Sequence, residues 1–328
     1  AGDVAAFTAA IAACGHAEQW ESAVALLSQA HLLGFAGNTA IYNSAISACG
    51  EGAQWKVAVN LLHEAGITQV RLDNITYNSS IAACGKGHAW IAAIAVQAEM
   101  SGLKLHPEAI TVSAVVSACS YAAEWRHALR MFDGFQNSSC SLSISSYSNA
   151  LTSCGQGLVW PRAVQLLDDI RFNSVAMDAR TYDAAVSTFL LAGREELAAH
   201  YCEEAVKDST YQLWKSPGVL DLHHRPVDVA KLAVKVALVK AESRNEDLTI
   251  VVGKGLHSEG GVGVVRHEVL EMLRHELGIK DANLLSSNSG RIFVQKNSIR
   301  KALTSHAKGK LQRAGPKRPP PPPPCADR

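Results

Sequence analysis

The stretch YNSAISACGEGAQW (Tyr42 to Trp55) returns with few changes as YNSSIAACGKGHAW (Tyr77 to Trp90) and as YSNALTSCGQGLVW (Tyr147 to Trp160). Five of the eight cysteines, Cys14, Cys49, Cys84, Cys119 and Cys154, stand 35 residues apart. Five of the six tryptophans, Trp20, Trp55, Trp90, Trp125 and Trp160, each follow a periodic cysteine by six residues, so two residue types agree on one period. In each copy an apolar periodicity runs from the Tyr to the Cys, a Gly-containing break follows, and a second begins near the Trp, as in Trp55, Val59 and Leu62. That pattern is two helices per repeat. Weaker copies from Phe7, Val112 and Tyr182 bring the count to six. One helical hairpin cannot bury its apolar face alone, so the period predicts an α-solenoid of helix-turn-helix 35-residue repeats over residues 1–215. The periodic Cys and Trp side chains are expected to be core residues, because strict periodicity repeats a packing position.

Composition narrows the function classes. Hydrophobic residues make up 48% of the 328 positions and charged residues 19%, a globular balance that excludes a disordered rod. No apolar run is long enough to span a bilayer, and no membrane partner is expected. The chain opens on Ala1 rather than Met, so it is expected to be an internal piece of a longer protein, and targeting cannot be read from it. No C-x-x-C pair occurs among the cysteines; zinc and a disulfide framework are not expected, and the thiols read as small buried groups. Charge is divided. Residues 1–215 hold 12 Lys and Arg against 19 Asp and Glu, and residues 216–328 hold 19 against 11, so a polyanion is drawn first to the C-terminal part.

After Ser216 and Pro217 the period stops. Residues 218–223 read as a short strand, Val227 to Glu242 as an amphipathic helix, Leu248 to Val252 as a buried strand, Val264 to Leu277 as a helix and Arg291 to Gln295 as a strand. This β-α-β-α-β order predicts a small α/β sandwich over residues 216–296. From 297 to 328 the basic, proline-rich segment, with six prolines from Pro319 to Pro324, is expected to be a disordered tail that aids association with a polyanion or binds protein partners as a polyproline ligand.

Two motifs in the α/β region could carry chemistry, LDLHH (Leu220 to His224) and VVGKGLHSEGG (Val251 to Gly261). Alternate residues of a strand share a face, so Asp221 and His223 project together at the strand's C-terminal end, where open α/β sheets place ligands. The glycines Gly253, Gly255, Gly260 and Gly261 let backbone N–H groups approach a phosphate, with Lys254 and Ser258 as further phosphate contacts. If His257 faces His223, the two could act as an acid/base pair in 2′-hydroxyl attack without metal; alternatively Asp221 could hold Mg²⁺. Lys254 is not followed by Ser or Thr, so this is no nucleoside triphosphate loop and none is expected to bind. The bland alternative makes Asp221 a strand-end cap and the histidines hydrogen-bonded surface groups.

The constant 35 and DNITYNSSI (Asp73 to Ile81) resemble the pentatricopeptide repeat, whose usual consensus runs Pro-Asp-Val-Val-Thr-Tyr-Asn; the tetratricopeptide repeat differs in length and in its Trp-Leu-Gly-Tyr signature. Helical-repeat RNA readers of this kind take one base per repeat. The resemblance implies recognition by the residue after the Tyr and the last residue of the repeat. With repeats starting at Val4, Thr39, Asn74, Ala109, Ile144 and Ala179, Thr8 with Asn38 implies adenine, Asn43 with Asp73 uracil, Asn78 with Glu108 a pyrimidine and Ser148 with Asp178 guanine. Ser113 with Ser143 and Asp183 with Leu213 fall outside the code, giving 5′-A-U-Y-N-G-N-3′. The competing reading is that these polar residues cap helices.

LDLHH, VVGKGLHSEGG and NSGRIFV (Asn288 to Val294) together resemble the small MutS-related (Smr) domain, whose motifs run Leu-Asp-Leu-His-Gly and Thr-Gly-x-Gly-x-His-Ser; His224 departs from the family's usual Gly. The resemblance implies nucleic-acid cleavage and, with the repeats, an RNA-processing endonuclease acting on single-stranded RNA in a chloroplast or mitochondrion. Two alternatives stay open: a non-catalytic RNA-binding stabiliser, and a protein-interaction scaffold.

Overall fold

A computed structural model of the chain describes residues 2–313 apart from 36, 69, 139, 224, 254–262 and 286–287. It divides into two compact units, Ala1–Tyr201 and Cys202–Arg328.

The first unit is built of helical hairpins: α1 (Gly2–His16) with α2 (Trp20–Leu32), α3 (Thr39–Glu51) with α4 (Trp55–Ile67), α5 (Asn74–Lys86) with α6 (Trp90–Gly102), α7 (Ala109–Tyr121) with α8 (Trp125–Asn137), and α9 (Ile144–Gln156) with α10 (Trp160–Phe172). A sixth pair, α11 (Ala179–Leu191) and α12 (Glu195–Lys207), carries the chain into the second unit. The first helix of each hairpin packs on the first helix of the next, α1 on α3, α3 on α5 and α5 on α7, which makes an α-solenoid.

Helix α5 shows why the repeat folds this way. Asp73 accepts from Thr76 N at 2.9 Å, and Asp73 N in return donates to the Thr76 hydroxyl oxygen, a capping box that starts the helix. Tyr77, Ile81 and Cys84 then fall on one face and are fully buried, each large apolar group contributing roughly 1.5–3 kcal/mol. The helix stops where His88 turns left-handed (φ 55°) and Ala89 N reaches back to Cys84 O at 2.8 Å. Equivalent left-handed residues recur at Glu18, Ala53, Ala123, Leu158 and Gly193.

Small residues set the repeat spacing. A Cβ on Gly50 would lie 3.2 Å from Ala83 Cβ, and one on Gly15 3.0 Å from Ala48 Cβ, so consecutive first helices nearly touch. The tryptophans differ from expectation: the periodic cysteines at 49, 84, 119 and 154 are buried, but the five periodic tryptophans are half-buried. Each opens a second helix; the glycines at 52, 87 and 157 sit against the rings of Trp20, Trp55 and Trp125. Cations lie over the outer faces, Arg126 at 4.4 Å from the Trp125 ring and Arg194 at 4.5 Å from Trp160.

The second unit holds a five-stranded sheet ordered β1 (Trp214–Ser216), β2 (Val219–Asp221), β3 (Leu248–Val251), β5 (Asn288–Val294) and β4 (Asn283–Leu285). Strands β2 and β3 are parallel and joined through α13 (Val227–Arg244); the other pairs are antiparallel. Leu220, Leu248, Ile250, Ile292 and Val294 are buried, as are Val229, Ala233, Val234 and Ala237 of α13. Helix α14 (Val264–Glu271) runs into a π-helical turn, Met272–Glu276. The expected strands and helices are present, with β1 and β4 in addition. The basic segment needs correction: residues 297–313, read as the start of a disordered tail, belong to helix α15 (Lys296–Arg313), which packs on α13. Ile299 and Ala302, three residues apart, are its buried contacts.

Candidate functional site

In the array, the proposed recognition residues occupy two structural positions. Thr8, Asn43, Asn78, Ser113, Ser148 and Asp183 lie within the first helices, and Asn38, Asp73, Glu108, Ser143 and Asp178 immediately precede them as N-caps. Stacking brings Asn43 and Asp73 together, Asn43 Nδ2 donating to Asp73 Oδ1 at 3.4 Å. Burial pushes the Asp73 carboxyl up, but the bonds from Thr76 and Asn43 outweigh it and hold the group below its ordinary value. Asn38 accepts from Ala40 N and Ile41 N, Ser143 from Ser146 N and Asp178 from Thr181 N. Glu108 accepts from Asn74 Nδ2 at 2.6 Å, Thr8 donates to Val4 O, Ser113 O accepts from Asn149, and Ser148 is buried. Leu213, the second member of the sixth pair, is an apolar side chain 4% exposed within the second unit.

Two cavities lie between first helices. One of about 270 Å³ is lined by Asn43, Ser47, Glu51 and Ile75, the next of about 300 Å³ by Ile75, Asn78, Lys86 and Ile110. Asn43 Oδ1 and Asn78 Oδ1, like Asn74 Oδ1, are buried without a hydrogen-bond partner among the described residues, a costly state. Ile75 and Ile110 are 62% and 66% exposed. Their position, second in the first helix, was not singled out in the sequence; two exposed isoleucines 35 residues apart were the available signal.

In the second unit the sheet gathers the two motifs. Asp221 pairs with Val251 and Val251 with Arg291, so the three share one row and one face at the ends of β2, β3 and β5. Leu222 N donates to Val251 O, and Gly253, left-handed at φ 78°, starts the glycine loop two residues on. Asp221 is 4% exposed. Its Oδ1 contacts His223 Nδ1 and accepts from His223 N at 3.2 Å, and its Oδ2 pairs with Lys215 Nζ. Burial raises the Asp221 carboxyl, but Lys215 and His223 overcome this and hold it below the ordinary carboxylate range. Asp221 and His223 thus meet as expected, although His223 lies just beyond the strand. Lys215 was missed: it was read as the last residue of the array. Residues His224, Lys254, Gly255, His257, Ser258, Gly260 and Gly261 lie outside the described residues.

This arrangement orients an imidazole. With Nδ1 held by an ionised carboxylate, the other ring nitrogen is the one fitted to move a proton. Mg²⁺ fits poorly at Asp221, whose two oxygens are both engaged; among the described residues no cluster of three or more His, Cys, Asp and Glu side chains could hold a metal ion.

Residues 220–297 match the family model described as the Smr domain. None of the curated proteins matches the chain. Among solved structures, the chain is similar to the pentatricopeptide repeat protein PPR10 from maize, at 18% identity and TM-score 0.46, covering 95% of this chain and 49% of that one. PPR10 with an 18-nt psaJ RNA element gives 18% and 0.47, with 94% and 49% covered. The PPR domain of Arabidopsis thaliana protein-only RNase P 1 in complex with tRNA gives 15% and 0.44, with 52% and 89% covered. The chain spans about half the length of the maize structures. Hairpins repeating every 35 residues in sequence and in structure thus make a helical-repeat solenoid, followed by a small α/β domain whose residues 220–297 match the Smr model.

Proposed function

We propose that the chain is an RNA-processing protein whose hairpins read single-stranded RNA and whose Smr domain cleaves it. The observation that carries the binding half is the pair of orphaned oxygens, Asn43 Oδ1 and Asn78 Oδ1, one repeat apart in successive cavities. Turned toward an incoming base, such an acceptor suits a base N–H, and its recurrence 35 residues apart in the second and third hairpins suits two successive unpaired bases. The test is equilibrium binding of the full chain to an RNA carrying A-U-Y-N-G, to the same sequence as duplex, and to its single-stranded DNA. Preference for single-stranded RNA, lost in Asn43→Ala/Asn78→Ala, supports the reading; equal affinity for all three, or an unaffected double variant, sinks it.

For cleavage, His223 takes the proton of a 2′-hydroxyl, the 2′-oxygen bonds to the adjacent phosphorus, and the bond to the 5′-oxygen breaks. The products are a 2′,3′-cyclic phosphate and a 5′-hydroxyl, the leaving oxygen taking its proton from a second acid, for which His257 is the candidate. Arg291, exposed in the same row, supplies a cation for the phosphate. The family resemblance adds a chloroplast or mitochondrion as the compartment.

One observation favours a scaffold instead: Asn38, Asp73 and Asp178 already cap helices, a duty they perform without RNA. Under that reading Asp178→Asn, which keeps a capping group, leaves every ligand affinity unchanged.

A further inference from the structure

Lys215 lies five residues ahead of the matched Smr segment, yet it touches the centre of the site. We propose that Lys215 is a positioning residue of the nuclease site, holding the Asp221 carboxylate so that it orients His223. This rests on the reading of the domain as a nuclease.

The backbone aims Lys215 there. In the β1–β2 hairpin Trp214 faces Leu220 while Ser216 faces Val219, so Lys215 is the extra residue of a β-bulge. Bulges re-aim side chains and recur beside functional sites. Trp214 turns to the α13 face, where Lys240 Nζ stands 5.8 Å from its ring, and Lys215 takes the other face with Asp221. The turn is fixed by Pro217 and by Gly218 at φ 72°, where a Cβ would come within 2.9 Å of Asp247 O. Asp221 N, donating to Leu213 O at 2.6 Å, ties the receiving strand in place.

The division of exposure fits the role. The Asp221 side chain is 2% exposed and that of Lys215 55%, so the ammonium compensates a carboxylate that water does not reach. Removing one partner of such a pair leaves a buried charge, which protonates or turns toward another donor. Either change releases Nδ1 of His223. A lysine serving only the stability of the hairpin would instead be replaceable by a neutral side chain without effect on turnover.

The experiment compares the full chain with Lys215→Ala and Lys215→Arg in RNA cleavage, alongside ¹⁵N spectra of the histidine side chains with His223 assigned by His223→Gln. The expected result is a loss of about 10- to 100-fold in kcat for Lys215→Ala, the size seen when partners of a functional histidine are removed. KM should stay within a few-fold, and Lys215→Arg, or ethylammonium added to Lys215→Ala, should restore turnover. In the spectra, His223 should hold a single tautomer, Nδ1–H, in wild type and Lys215→Arg and lose that preference in Lys215→Ala. Unchanged kcat and tautomer in Lys215→Ala would overturn the proposal. If the wild type binds RNA without cutting it, the nuclease reading fails, and the spectra alone decide whether Lys215 sets the histidine.

Discussion

Replacing Asn43 by Ser while keeping Asp73 should move one nucleotide's preference from uracil to guanine. In the free protein the Asn43 amide donates to Asp73 at 3.4 Å and leaves Oδ1 buried without a donor. Rotation of the Asn43 amide toward the cavity beside Ile75 would let a uracil N3–H satisfy that oxygen. A buried polar group left unmade costs about 1–3 kcal/mol, so the correct base should be favoured by roughly 5- to 150-fold, tenfold for each 1.4 kcal/mol. Serine is too short to keep both the Asp73 bond and the reach into the cavity, and Ser148 with Asp178 is the pair to which the family resemblance assigns guanine. The assay is a randomised-pool selection followed by anisotropy titrations of RNAs that differ only at the second nucleotide of A-U-Y-N-G-N. Helix content must be shown unchanged, since the position lies inside α3. An unaltered preference at the second nucleotide, with binding retained, refutes the assignment of Asn43 and with it the register of the array.

Other consequences follow from the packing and the charges. Gly87→Ala puts a Cβ 2.3 Å from Trp55 Cδ1 and 3.0 Å from its Cβ, so it should cost about 1–3 kcal/mol by overpacking. Gly102→Ala, with open space around it, should be neutral or stabilising by up to about 1 kcal/mol; urea denaturation giving both the same sign contradicts the seam. Asp221 has its folded pKa depressed, so its contribution is complete above the unfolded value of about 3.9 and is lost as pH falls through the folded one. Asp221→Asn should therefore flatten the acid limb of the second unit's stability, and an acid limb identical to wild type would remove the ion pair from the account. The Cys84 thiol is pushed up to about 11 and that of Cys154 to about 12 by burial. At pH 8 alkylation read by mass spectrometry should mark Cys14 before Cys49, Cys84, Cys119 and Cys154; uniform labelling means the array is not packed as described.

Much of this was legible because repetition multiplies weak local signals. The 35-residue period of Cys and Trp placed the starts of α3, α5, α7, α9 and α11 at Thr39, Asn74, Ala109, Ile144 and Ala179. Periodicity cannot tell a core position from a seam, and the tryptophans turned out half-buried, with Trp20, Trp55 and Trp125 each against a glycine of the next repeat. In the second unit, alternation gave β2, β3 and β5, but β1 and β4 have three residues each and no period to read. Lys215 was hidden for the same reason: a bulge beside Pro217-Gly218 directs it, and a bulge is a property of two paired strands. Helix α15 was concealed by its charge, since among its described side chains only Ile299 and Ala302 are buried. Asp221 and His223 were legible as a pair from their two-residue separation, but the turn after β2, in which His223 N donates to Asp221, brings them together rather than the alternation of a strand.

The most direct test of the central claim is incubation of the full chain with an end-labelled RNA containing A-U-Y-N-G-N, with Mg²⁺ and with EDTA, beside Asp221→Asn and His223→Ala. The account predicts cutting near the bound site in both conditions, a 2′,3′-cyclic phosphate end, and loss of cutting in both variants with affinity within a few-fold of wild type. Tight binding with no cutting, or equal cutting by wild type and both variants, would contradict it.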